Sequence, residues 1–396
     1  MLPLANLLIV DLSRVLACPF ATMILAELGA TVIKVEHPQA GDETRGFEPF
    51  FESGVSGYFL ACNRAKRSVC VDLRKPSGQA VIRDLATRAD ALVENFPAGT
   101  LARRNLDYAS LKPLNPRLIY LSCTGFGQAG PHARRKGYDT VFQAMGGLMG
   151  LTGERGGGPV KPGLPVADLT SGLWVAIALL AVLRGRDAPG EGTGQGSHVD
   201  FAMLDGQVAL LTIAAARYFA LGEVPPRLGT EHPGRVPTAS YRCADGRFLH
   251  ITCSDQHWAP LCRALALSFE DDLSTNAARL AARERVNAAI AGALARLSRA
   301  EAVAALDAED VPNGPVLALD EVLADPQVAA HGLVEQVRHG PHTHPALRLP
   351  FRFDGLTDPK PQPAPALGAD TDAVLRDLLG YDPARIQALK DEGAIR

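Results

Sequence analysis

The chain has 396 residues, 47% of them apolar and 21% charged, a composition ordinary for a soluble globular protein and long enough for more than one domain. A formal net charge of -3 at pH 7 gives no global attraction to nucleic acid or anionic lipid. Seven cysteines (Cys18, Cys62, Cys70, Cys123, Cys243, Cys253 and Cys262) are odd in number and lack paired metal spacing. Reduced structural thiols in a cytoplasmic protein are expected, with no bound metal. No basic stretch followed by an apolar run and a cleavage site opens the chain, so no signal peptide is expected. The longest apolar run, LWVAIALLAVL at 173–183, is too short for a bilayer and reads as a buried helix.

In chain order, LLIVDL (7–12) is a short apolar run suited to a buried parallel strand. CPFATMILAELGA has helical periodicity, and Gly29 is a plausible stop. TVIKVE (31–36) completes a βαβ unit. SVCVDL (68–73), a helix over about 77–88, and ALVEN (91–95) repeat the scheme, and LIYLSCTGFG (118–127) ends a further strand in a glycine-rich turn. This alternation predicts a doubly wound parallel α/β sheet, with ligands at the carboxyl ends of its strands. A long helix follows from about Leu169 to Arg184, then the strand SHVDFAML and a helix through LDGQVALLTIAAARYFA. GEVPPRLGTEHPGRVP (222–237) reads as a linker. Beyond it, SYRCADGRFLHITC carries a hairpin signal at Asp245–Gly246, and alanine-rich helices occupy roughly 276–308. A second proline-rich stretch leads to a final helix at about 370–380. The expected domains are 1–221, a smaller α+β domain over 222–330, and a C-terminal return over 331–396.

Asp168, in PVADLTSG, stands just before the long apolar helix. Two readings are open: an N-cap that accepts backbone N–H bonds, or a nucleophilic carboxylate able to attack an acyl thioester. In the second, backbone N–H groups of the helix start would also stabilise an oxyanion, with Thr170 or Ser171 as the cap. Arg64, Lys66, Arg67, Arg74, Arg103, Arg104, Arg134, Arg135 and Lys136 cluster near strand ends. They are either a solvated basic face or phosphate ligands. No P-loop, GxSxG, HExxH or CxxC occurs, and the proline and glycine of HGPHTH (339–344) favour a plain loop over a metal tract.

Several ordered segments carry a resemblance: LGATVIKVEHPQAGDETR (28–45), NRAKRSVCVDLRKPSG (63–78), ADALVENFPAGTL (89–101) and NPRLIYLSCTGFGQAGP (115–131). It continues through GYDTVFQAMGGLMGLTG (137–153), PVADLTSG, RGRDAPGEGTGQGSHVDFAMLDG (184–206) and VPNGPVLALDEVLADPQV (311–328). With these the chain resembles the class III CoA-transferase family, which includes formyl-CoA transferase and carnitine CoA-transferase. The resemblance implies Asp168 as the acylated aspartate. It implies CoA contacts at Leu16, Ala17, His37, Val71, Asp72, Leu73, Arg74, Asn95, Phe96, Pro97, Arg103, Lys136, Tyr138 and Asp139. Leu16 replaces a glutamine of formyl-CoA transferase and His37 an arginine, and the glycine-rich loop over the oxalate site there has no counterpart between 222 and 262.

Coenzyme A and acyl-CoA are then substrates, with no tightly bound cofactor. The partners are an acyl-CoA, a small carboxylic acid and a second copy of the chain in an interlocked homodimer; neither nucleic acid nor membrane is among them. A succinyl-CoA donor is the leading expectation, with Arg45, His232 and Arg235 as candidate ligands for a distal carboxylate. The implied route passes through a mixed anhydride and an aspartyl-CoA thioester. Two other functions stand beside it. The superfamily also contains 2-methylacyl-CoA racemases, but these carry a His where Tyr138 stands, and a tyrosine of ordinary pKa is a poor base near neutrality. A non-catalytic CoA-binding protein would leave Asp168 dispensable.

Overall fold

The computed structural model describes residues 1–268 and 271–396. They fall into two compact units, one made of 1–148, 162–216 and 331–396, the other of 149–161 and 217–330.

The first unit is built on a six-stranded parallel sheet. In chain order come β1 (Leu8–Asp11), α1 (Ala17–Glu27), β2 (Thr31–Glu36), α2 (Gly57–Asn63), β3 (Arg67–Cys70), α3 (Pro76–Arg88), β4 (Ala91–Glu94), α4 (Tyr108–Leu111) and β5 (Ile119–Thr124). Then follow α5 (Asp139–Met145), α6 (Leu148–Leu151), which after Leu148 belongs to the second unit, α7 (Val166–Asp187), β6 (His198–Ala202), α8 (Met203–Leu210) and α9 (Thr212–Leu221), whose residues from 217 on are also counted with the second unit. The strand order is β3-β2-β1-β4-β5-β6, every pair parallel. Successive side chains alternate faces, so Val10, Ile33 and Leu92 pack with α3 and the chain's last helices. Ile9, Val32, Val93 and Leu121 pack with α1 and α7 on the other face. Both faces are covered, which is why the strands read as unbroken apolar runs.

Chain order reverses between β1 and β4, so the loops leaving these two strands diverge at the switch point where such sheets bind ligands. At the stop expected at Gly29, φ is +109°, and a Cβ there would lie 2.6 Å from that of Leu2. Gly172 lets α7 cross α1 closely: a Cβ would sit 2.6 Å from the Ala17 carbonyl oxygen.

Several expectations are corrected. α7 spans 22 residues, long and apolar enough by length and composition to cross a membrane. It is not simply a buried helix: Leu173, Trp174 and Ile177 lie exposed along one side. The helix expected through 204–220 is two, α8 and α9, bent by 65°. The histidine tract is no loop. It folds as an antiparallel hairpin, β10 (Val334–His339) with β11 (His342–Leu347), and among the described residues no cluster able to hold a metal occurs. The last expected helix is short, Thr371–Ala373 running into a π-turn over Val374–Leu378, and a further helix at Pro383–Asp391 follows it.

The second unit has an antiparallel sheet of β7 (Thr238–Arg242), β8 (Phe248–Thr252) and β9 (Asn313–Pro315). Gly246 turns the β7–β8 hairpin at φ +80°. Trp258, Ile251 and Ile290 centre its core. Arg279, fully buried, donates to the carbonyls of Val236, Leu273 and Ser274 and to Asp255.

Candidate active site

Beneath the carboxyl ends of β1 and β2 lies a buried ionic network. Asp11 accepts from the Ser13 N–H and hydroxyl, from Thr22 at 2.6 Å and from Lys66 at 3.0 Å. Burial alone would raise its pKa, but the two lysines and the hydroxyls overcome it and hold the carboxyl at about 2. Lys34 pairs with Asp42 at 2.8 Å. Arg45 forks onto Glu36 at 2.7 Å on each arm and lies 3.8 Å from the Phe59 ring centre. Arg45 is therefore committed to Glu36 and does not serve as the free carboxylate ligand expected of it. Of the other two candidates, His232 accepts at Nδ1 from the Gly234 N–H and Arg235 is exposed, both in the second unit.

The network fixes the loops above it. Val15 sits in the left-handed region at φ +70°, strained for a β-branched residue. Asn95 clamps the same loop from β4, accepting from the Arg14 N–H at 2.9 Å and donating to the Arg14 carbonyl at 2.7 Å. Two clefts meet here. One, of about 480 Å³, is lined by Leu16, Ala17, Asn95, Phe96, Pro97, Lys136, Tyr138, Asp139 and Asp168. The other, of about 340 Å³, is lined by His37, Val71, Asp72, Leu73 and Arg74, and shares Arg14, Glu43 and Phe96 with the first. Of the residues named for CoA contact, only Arg103 lines neither; it is exposed, and Arg104 lines the second cleft in its place. Arg74 is engaged by Asp72 at 2.8 Å and by His37 Nε2 at 2.9 Å.

Asp168 is not an N-cap. α7 begins at Val166, which places Asp168 inside its first turn. The cap comes from far along the chain. Asp139 Oδ1 accepts from the N–H groups of Ala167 at 2.8 Å and Asp168 at 3.3 Å, while its Oδ2 accepts from Gln143 at 2.6 Å. The remaining N–H groups of the helix start bond to the Leu164 and Pro165 carbonyls. None of the four is left for an oxyanion. Thr170 donates back to the Val166 carbonyl at 2.7 Å, so it is not the cap, and the Ser171 hydroxyl is buried without a partner.

Relieved of capping, the Asp168 carboxylate faces the cleft. Burial, and then the charge of Asp139, push it up to about 7. Glu94, at the end of β4, is likewise pushed to about 7 by burial, though it accepts from the Phe96 N–H at 2.8 Å. Two residues near the site carry no signal that the sequence reading used. Arg14 lines both clefts and lies 5.2 Å from the Phe96 ring centre. Tyr58 is half-buried, and burial followed by the charge of Asp168 pushes its phenol up to about 12.

The cleft wall owes its shape to two glycines. A Cβ on Gly125 would lie 2.5 Å, and one on Gly137 2.6 Å, from the tip of the Phe142 ring.

A strained loop at a switch point, basic side chains and one half-buried carboxylate suit exchange at a phosphorylated thioester. The family comparison decides the matter, for the pattern of CoA-transferase family III matches residues 4–371. The chain belongs to CoA-transferase family III. This transferase is 38% identical to a succinate–glutarate CoA-transferase of Agrobacterium fabrum, over 95% of its own length and 96% of the relative's. It is 37% identical to a succinyl-CoA:glutarate CoA-transferase of Mus musculus, over 100% and 91% of the two chains. Among solved structures it resembles a CAIB/BAIF family protein from Brucella suis, with a TM-score of 0.84 and 38% identity over 95% and 99% of the chains. Transfer of CoA between acids, with CoA thioesters as substrates, is its activity.

Proposed function

We propose that the transferase moves CoA from an acyl-CoA, with succinyl-CoA the leading donor, to a small carboxylic acid through covalent intermediates on Asp168. The observation that carries this is the division of labour between two aspartates. Asp139 caps α7, which leaves the Asp168 carboxylate open to the cleft. The ionised carboxylate attacks the thioester carbonyl, forming the mixed anhydride and expelling CoA thiolate. The thiolate attacks the aspartyl carbonyl of the anhydride, giving the aspartyl-CoA thioester and the free donor acid. The acceptor carboxylate attacks that thioester to give a new anhydride, and the thiolate released then takes the acceptor acyl group and frees Asp168. Each step exchanges one activated acyl bond for another, so no energy input is required. The thiolate must stay bound and water must stay out, which the loops of the clefts would provide.

Arg14, Arg74, Arg104 and Lys136 line the clefts and suit the phosphates of CoA; His37 would lie along the adenine. The names of the Agrobacterium and mouse relatives support a dicarboxylic acceptor. The apolar stripe of Leu173, Trp174 and Ile177, with Ile213 exposed as well, supports a homodimer. Seven free, buried cysteines suit a reducing, cytoplasmic location.

The test compares Asp168→Ala with the wild type across a panel of acyl-CoA donors and acids, following acyl-CoA products by mass spectrometry. Transfer by the wild type and none by the variant, with the oligomer intact, is the expected result. Racemisation of a 2-methylacyl-CoA without transfer would sink the reading.

A further inference from the structure

One wall of the second cleft is the segment Val71–Arg74, which leaves the end of β3. β3 is the edge strand of its sheet, yet Val71 and Asp72 are buried. Two neighbours fix them. The Val71 N–H donates to the Glu36 carbonyl of β2 at 2.8 Å. The Asp72 N–H donates to the Ala394 carbonyl, also at 2.8 Å, and Val71 forms an antiparallel bridge with Ile395.

Ala394 and Ile395 reach that wall through a helix stop. After the helix Pro383–Asp391, Gly393 takes φ +64°. Its N–H donates to the Lys390 carbonyl at 2.7 Å, and the Ala394 N–H donates to the Leu389 carbonyl at 2.8 Å. These two bonds around a left-handed glycine make a Schellman turn, which sends Ala394 and Ile395 back along Val71. Both side chains are buried in the core on the α3 face, together with Val71 and Leu389. Lys75 ties the turn from outside by donating to the Glu392 carbonyl.

The effect reaches the cleft through Asp72. Its carboxylate accepts from the Arg74 N–H and Nε at 2.9 Å each and from Nη2 at 2.8 Å. Arg74 Nη2 in turn meets His37 Nε2 at 2.9 Å. A shift of the Asp72 backbone therefore carries the guanidinium and the imidazole with it. The pattern of CoA-transferase family III ends at residue 371, before the helix and its turn, so it carries no record of this support.

We infer that the turn Gly393–Ile395 is a positioning element for acyl-CoA. It holds the Asp72 backbone at the place from which Arg74 and His37 meet the phosphorylated end of the ligand, and it touches no substrate itself. The inference rests on reading the second cleft as the site of that end.

The test uses the full chain with coenzyme A itself as the binding probe, read by titration calorimetry. Turnover is followed on the donor and acid that the wild type transfers fastest. Ile395→Ala should raise the Kd for CoA by about 5-fold, the scale of one lost hydrogen bond. At saturating acyl-CoA its kcat should stay within about 2-fold of wild type, because nothing at Asp168 has moved. Ile395→Val, which keeps the buried branch, should restore the wild-type Kd. Added to Arg74→Ala, Ile395→Ala should raise Kd by less than about 2-fold more, since the turn acts through that guanidinium. Should Ile395→Ala fail to fold, Gly393→Ala at an exposed position strains the same turn and should raise Kd by about 3-fold. An unchanged Kd, a fall in kcat without a rise in Kd, or fully additive effects with Arg74→Ala would overturn the positioning role. An unchanged Kd in Arg74→Ala alone would instead overturn the reading of the second cleft, and the inference with it.

Discussion

Replacing Asp168 by asparagine should make the protein more stable while abolishing transfer, and the gain should depend on pH in a defined direction. The carboxyl is raised from 3.8 to about 7 by burial and by Asp139. At 1.36 kcal/mol per pH unit that gap corresponds to about 4 kcal/mol, and the open mouth of the cleft brings it to about 2–4 kcal/mol. The sign follows from proton counting. Between about pH 4 and 7 the unfolded chain has released this proton and the folded chain still holds it, so stability falls as pH rises. Above 7 the full penalty of an ionised, half-buried carboxylate is present in the wild type and absent in Asp168→Asn. Asparagine keeps the shape and gives up only the favourable charge in the first turn of α7, worth about 0.5 kcal/mol. Chemical denaturation at pH 8 should show the variant more stable by about 2–4 kcal/mol, and near pH 4 the difference should shrink to below about 1 kcal/mol. An equal difference at both pH values, or a destabilised variant at pH 8, would refute the claim that Asp168 is held in an environment hostile to its own charge.

Transfer by the wild type should rise with pH through about 7, as the Asp168 carboxyl ionises. Asp139→Asn keeps an oxygen to cap α7 but removes the charge, so the midpoint of its pH–rate profile should move down; an unchanged or higher midpoint would refute the coupling. Arg104 lines the second cleft and donates to the Leu73 carbonyl at 3.1 Å, whereas Arg103 points elsewhere. Arg104→Ala should raise the KM for acyl-CoA by about 10-fold and Arg103→Ala should leave it nearly unchanged, both read from initial rates across acyl-CoA concentrations.

The parallel sheet was legible because its buried strands leave continuous apolar runs between turn residues, and β2 coincides with the expected span at Thr31–Glu36. The start of α7 was not legible. Its cap, Asp139, lies 28 residues before Ala167, and no local spacing rule sees a helix cap delivered from another segment. The same cause kept the N-cap reading of Asp168 open, because a position before an apolar run is what an N-cap looks like. The hairpin at 334–347 was hidden because its strands carry histidines and a proline in place of alternating apolar residues. Arg103 and Arg104 are adjacent in one short turn, Ala102–Arg104, and only the backbone's direction there decides which guanidinium faces the cleft. Tyr58 belongs to no motif; its place in the field of Asp168 depends on how α2 is laid against the sheet.

The ring of Phe142, held between Gly125 and Gly137, makes a mechanical unit of two pieces of chain. The end of β5 and the segment that runs from Gly137 through Tyr138 and Asp139 into the first turn of α5 cannot slide past one another without expelling that ring. Because Asp139 is also tied to the start of α7, the unit extends to the residue beneath which the thioester would lie. One side of the cleft is thus a single slab. Whatever admits a ligand as bulky as CoA must come from the opposite side, where the Arg14–Ala17 and Asn95–Pro97 loops are joined by the two hydrogen bonds of Asn95.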